Sequence, residues 1–247
     1  MATKKEDKIK HLRQPGDPVI VNSKAYGKHE RAPRFTHTPQ TTSPFARKFS
    51  VLNARATGIA KVINDAFKPY KEEIKDGTMW SRLVGILKRD LNADPELDLR
   101  FLKDFQFRAN QNFSRYYHAS LTPSLKNSKL TVETSSASAD TANKFKASHY
   151  EQTLVIVCLD KEMTTVTHTH TSIFPVSRKE VPKKRGVQQQ YRYDTHKDSA
   201  EFDIPLNTTN ILIAVKCKPL KDGICKNPAG CAFAVLEVME TAFVEDE

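Results

Sequence analysis

Only eight glycines, four cysteines, four methionines and one tryptophan occur among the 247 residues, and no apolar run approaches the eighteen or so residues of a membrane-spanning helix. So few glycines leave little room for nucleotide-cradling loops. Neither a phosphate-binding glycine loop, a Gly-x-Ser-x-Gly elbow nor a His-Glu-x-x-His helix motif is present, and the chain is read as non-catalytic, with no cofactor. Four scattered cysteines are not the dense framework of a small secreted module, so reduced thiols are expected. Residues 1–10 are charged and lead into no apolar stretch, so the protein is expected in the cytoplasm unless a larger particle such as a virion carries it elsewhere.

What is present is length, a moderate apolar content and positive charge. At 38% hydrophobic, the chain can build one large domain or two small ones with real cores, which excludes complete disorder. The net charge of +10 is unevenly placed: residues 1–48 hold eleven Lys and Arg against four Asp and Glu, a net +7, leaving +3 for the rest. Such asymmetry marks a cationic arm that meets phosphate or an acidic protein surface. The plainer alternative is a solubilising tail. Pro15, Pro18, Pro33 and Pro39 interrupt this stretch, and only Val19, Ile20 and Val21 cluster as a short strand would. Residues 1–43 are therefore expected to form an extended basic arm, ordered by a surface outside itself.

Ser43-Pro44 is a helix start, with a hydroxyl cap followed by a proline whose missing N–H costs nothing at the first helical position. Phe45, Phe49, Leu52, Ala56, Ile59, Ile63 and Ala66 recur at spacings of three and four, which predicts a helix over 44–68 with Phe49, Leu52, Ile59 and Ile63 buried. Pro69 ends it. A second helix is expected over 78–91 with Trp80, Leu83, Val84 and Leu87 inward, and a third from Asp94-Pro95 through Phe105. The helical region thus spans 44–120, packed either as a unit of its own or on the β domain, and 105–120 suits a helix end or a strand equally.

From residue 121 the pattern changes to period two. Strands are predicted over 128–133, 153–160, 163–174, 188–193, 201–204, 210–218 and 231–239, with 134–143 as a polar loop. Seven such strands imply an antiparallel β-sandwich of immunoglobulin type over 121–247, so the fold class is α+β.

Three clusters carry chemistry that has to be weighed. His168 and His170 stand two apart on a predicted strand and share a face, but no motif supplies a third ligand, so a polar strand surface is preferred and no metal is assigned. Cys217, Cys225 and Cys231 bracket a loop and can bind zinc or bridge under oxidation; without a two-residue knuckle spacing, small apolar cysteines at strand ends are the better reading. Residues 177–186 place five cations against one acid between two strands, followed by Gln and Tyr side chains. A solvated hairpin explains this simply. Phosphate contact is the sharper alternative, with Arg178, Lys179, Lys183, Lys184, Arg185, Tyr191 and Arg192 as nucleic-acid-binding candidates.

Pro39, Thr41 and the basic Arg47-Lys48 pair form a turn leading into the first helix. This order, with a basic stretch before it and an immunoglobulin-like β domain at the C-terminal end, resembles uncharacterised bacterial and phage-associated proteins. The resemblance implies a structural component of a particle or surface assembly and brings no biochemical activity with it. The leading expectation is therefore an assembly protein whose arm docks on neighbouring subunits of a homo- or hetero-oligomer through Lys24, Lys28, Arg31, Arg34, Arg47 and Lys48. The alternative is a nucleic-acid-binding protein using the arm and the 178–185 loop.

Overall fold

The computed structural model describes residues 19–23, 27–31, 43–74, 76–93, 98–109, 112–138, 145–176, 178–180, 191–226 and 228–241. The chain divides into two compact units, Met1–Phe49 and Ser50–Glu247. In the first, the apolar Val19–Val21 cluster does form a strand: β1 (Val19–Ser23) pairs antiparallel with β2 (Gly27–Arg31), Val19 opposite Arg31.

Helix α1 (Pro44–Phe67) begins where the cap predicted, with Ser43 Oγ accepting from the Ala46 amide at 3.2 Å. It buries Ala56, Ile59, Ala60, Ile63 and Phe67. Phe49 is 54% exposed and Leu52 only half-buried, against expectation: the apolar stripe extends N-terminally beyond the part that is covered. Helix α2 (Met79–Ala93) buries Met79, Leu83, Leu87 and Leu91 at a strict spacing of four. That spacing centres its inner face one residue earlier than predicted, so Trp80 lies at the rim, 39% exposed, rather than as an anchor. The expected third helix shrinks to a 3₁₀ turn, Leu99–Leu102, capped by Asp98; residues 94–97 lie outside the described residues.

The second unit has two antiparallel sheets. One contains β3 (Tyr117–Lys126), β4 (Lys129–Ser138) and β9 (His196–Asp203), in the order β3-β4-β9. The other has the order β11-β10-β5-β6, from β5 (His149–Asp160), β6 (Thr165–Pro175), β10 (Thr208–Leu220) and β11 (Ala232–Glu240). A short ribbon pairs β7 (Arg178–Glu180) with β8 (Tyr191–Tyr193), and a single helical turn, α3 (Phe113–Tyr116), leads into β3. The ambiguous stretch 105–120 thus ends in a strand. The expected loop at 134–143 is corrected in its first half: Thr134 to Ser138 continue β4, where small hydroxyl side chains fit the interior and Ser138 meets the Tyr150 hydroxyl at 2.8 Å, while 139–143 lie outside the described residues.

Strand β5 is apolar without alternation from Leu154 to Leu159 because both of its faces are covered. Val155, Val157 and Leu159 join Leu212 and Ala214 of β10 and Phe233 of β11 in one cluster with α1 and α2. Leu154, Ile156 and Cys158 join Ile211, Ile213 and Val215 in a second cluster, with Leu130 and Val132 of β4 and Phe202 of β9. The helices therefore pack against the four-stranded sheet, the second of the two arrangements the sequence left open.

Candidate functional site

The arm candidates fall on both sides of what is described. Lys28 and Arg31 stand on β2, opposite Asn22 and Val19, while Lys24 and Arg34 lie outside the described residues. Arg47 and Lys48 are exposed near the start of α1, whose first turn contains no acidic residue. That pole of a helix carries the equivalent of about half a positive charge, so cations there oppose the macrodipole by some tenths of a kcal/mol each. Two cations in this position favour the helix less than acids would.

For the second set, Arg178 and Lys179 are on β7 and Tyr191 and Arg192 on β8; Lys183, Lys184 and Arg185 lie outside the described residues. The register places Lys179 directly opposite Arg192. Like charges opposite one another weaken a two-stranded ribbon unless an anion neutralises them.

His168 and His170 share a face of β6, as the period-two pattern requires, but that face is not the solvent side. His170 Nε2 lies 2.8 Å from Asp198 Oδ2 on β9, His168 packs near the Phe202 ring, and Phe174 stacks on His196 at 4.2 Å. The threonines of β6 take the outer face. Burial works to raise the Asp198 pKa, but hydrogen bonds from His170 and the Ser199 amide outweigh it and hold the carboxyl below its ordinary value. The imidazoles thus tie the edges of the two sheets. Among the described residues no group of three or more His, Cys, Asp or Glu side chains is placed to hold a metal.

Of the three cysteines that the sequence groups around one loop, two have their sulfurs in contact. Cys225 Sγ lies 3.4 Å from Cys231 Sγ, and Cys217 is buried on β10. Beside them runs a chain of charges: Lys216 bonds Glu73, Lys218 lies 3.8 Å from Glu73, and Lys218 bonds Glu151 at 2.7 Å. Lys216 is nearly buried, with a side chain 9% exposed. Burial alone raises Glu73, but the two lysines hold it below the ordinary carboxylate value. Glu73 was invisible in the sequence because it sits in a connection between helices with no motif around it; an isolated lysine inside the apolar run 211–217 was the available signal.

No family model matches the sequence, and no curated protein matches it. Among solved structures, the chain is similar to a penta-heme cytochrome c552 from Thermochromatium tepidum at 11% identity, over 51% of this chain and 39% of that one, with a TM-score of 0.30. It is also similar to CC2D1B, which coordinates ESRCT-III activity during the mitotic reformation of the nuclear envelope, at 8% identity over 83% and 78% of the two chains, with a TM-score of 0.22. Neither likeness is close enough to bear on fold or function.

Proposed function

We propose that the protein is a non-catalytic component of a larger assembly, located in the cytoplasm or within the assembled particle, whose basic arm docks on an acidic face of a neighbouring subunit. The observation that carries this reading is that Met1–Phe49 forms a compact unit of its own and holds a net +7 of the whole chain's +10. The second unit serves as the rigid body, a β-sandwich of immunoglobulin type. Taking β3, β4, β5, β6, β9, β10 and β11 as strands A to G, the sheets run A-B-E and G-F-C-D, which is the immunoglobulin division with the fourth strand carried on the opposite sheet. The apolar cluster with members from both sheets supports that stacking. No cysteine stands on β4 and no tryptophan on β5, so Leu130, Val132, Leu154 and Ile156 take the place of the antibody-type disulfide and tryptophan.

Deleting residues 1–40 spares the Ser43 cap. The truncated protein is expected to unfold at the temperature of the full chain while losing assembly, read by light scattering and thermal unfolding on the same samples. A truncated protein that assembles as the full chain does would reduce the arm to a solubilising tail and remove the main support for this reading.

The opposed Lys179 and Arg192 favour a second reading, in which the β7–β8 ribbon and the arm bind nucleic acid. Anisotropy of labelled single-stranded and duplex oligonucleotides between 50 and 200 mM salt tests it. Six or more phosphate contacts would lower affinity by about a thousandfold over that range, log-linearly. A flat salt response, or no binding at the lowest salt, counts against it.

A further inference from the structure

We propose that Cys225 and Cys231 are a two-electron redox pair that peroxide closes to an intramolecular disulfide. Their sulfurs are already in contact at 3.4 Å, against about 2.05 Å for the bonded pair, so closure requires little more than a side-chain rotation. The two residues contribute differently. Cys231 is fixed: it is fully buried at the entry to β11, its amide donates to the Pro228 carbonyl at 3.1 Å, and Gly230 before it is seated so tightly that a Cβ there would meet Pro219 Cγ at 2.7 Å. Cys225 is half-buried and follows the Lys221–Ile224 turn, in irregular chain. Oxidant therefore reaches Cys225 first.

The steps balance with peroxide as the only co-reactant. Cys225 Sγ attacks a peroxide oxygen, the O–O bond breaks, and the thiol proton leaves with the departing oxygen as water or an alcohol, giving a sulfenic acid. Cys231 Sγ then attacks the Cys225 sulfur; the S–S bond forms, the S–O bond breaks, and hydroxide leaves with the Cys231 proton as a second water. Burial pushes the Cys231 thiol up, which leaves the first attack to the more exposed Cys225. Cys217, opposite Ala232 in the β10–β11 register and 1% exposed, is the nearby thiol that peroxide does not reach. Closure would staple the loop over 225–231 to the start of β11, where the Gly230 carbonyl accepts from the Tyr117 hydroxyl at 2.9 Å and ties that corner to β3.

The test uses the full chain, reduced, desalted and treated with hydrogen peroxide in small excess. Free thiols counted after denaturation are expected to fall from four to two, with an intact mass lower by about 2 Da. Trypsin cuts after Lys226, between the two cysteines, so the non-reduced digest is expected to join the peptide over 222–226 to the one carrying Cys231, and dithiothreitol to separate them. Cys225→Ser, at the half-buried position, should keep its three remaining thiols, and Cys217→Ser should still close the bridge. Four thiols persisting after treatment, a digest linking Cys217 or Cys158 instead, or a bridge between two chains would each overturn the proposal.

Discussion

Replacing Phe107 by alanine is expected to cost about 3 to 5 kcal/mol of unfolding free energy. The ring is 2% exposed and stacks on Phe233 at 4.1 Å, with Phe67 edge-on at 4.9 Å and Phe105 at 5.6 Å. It thereby meets the last residue of α1 and the second residue of β11 at once. The backbone here does further work. Asp104 donates to the Val235 carbonyl at 2.8 Å, Val235 to the Phe105 carbonyl at 3.0 Å, and Phe107 to the Phe233 carbonyl at 3.0 Å, so residues 104–107 cover the outer edge of β11 and satisfy groups that an open edge would leave unpaired. Losing the ring should loosen this cover as well as leave a cavity. Urea unfolding is expected to show the loss as a lower midpoint, with a fall in Tm on the order of 10 °C. Phe49→Ala is the control: at 54% exposure it should change stability by no more than about 0.5 kcal/mol. Equal losses at the two positions would mean that the Phe107 cluster does not join helices to sheet as described.

How much of this was legible in the sequence depended on whether the signal was local. The Ser43-Pro44 start of α1 and the pure apolar run of β5 are written in neighbouring residues, and both elements lie where the pattern put them. Strand β3 was hidden by its own chemistry. Pro123 and a series of Ser, Thr and Ala give a weak alternation, and a proline argues against a central strand; β3 tolerates it because it is an edge strand, paired only with β4. Ser136 and Ser138 read as loop residues because hydroxyls are rarely interior, yet they are buried where the sheets' inner faces turn polar near Gln152 and Tyr150. The thiol pair was in view as a spacing. The pair itself is local, six residues apart, but its place beside Lys218 and Glu73 depends on distant chain segments, which no local pattern encodes.

Asp76→Asn should be the most damaging surface-proximal polar change, costing about 2 to 4 kcal/mol at neutral pH, and its cost should shrink as the pH falls. The Asp76 side chain is only 9% exposed. Its carboxylate accepts from the Thr78 amide, the Thr78 hydroxyl and the Ala109 amide, each at 2.7 Å, and from Arg82 at 2.8 Å. It thus holds the start of α2 to the segment after Phe107, an attachment that Arg82 extends by donating to the Gln106 carbonyl at 2.8 Å. Burial by itself would raise the carboxyl pKa, but these donors outweigh it and hold the group well below the ordinary carboxylate range. A pKa depressed in the folded state gives stability that is fully present above the unfolded value of about 3.9 and lost as pH falls through it toward the folded value. Asparagine keeps one acceptor oxygen but turns an NH₂ toward groups that are all donors, and it does not titrate. The gap between the two proteins should therefore be widest at pH 7, nearly unchanged at pH 5 and clearly narrower at pH 3, measured from urea midpoints in a common buffer. The depressed carboxyls of Glu73 and Asp198 weaken both proteins alike in acid and cancel in the difference. A gap that stays constant down to pH 3 would mean that Asp76 acts by shape and not by charge, and that Ala109 and Arg82 are held equally well by a neutral acceptor.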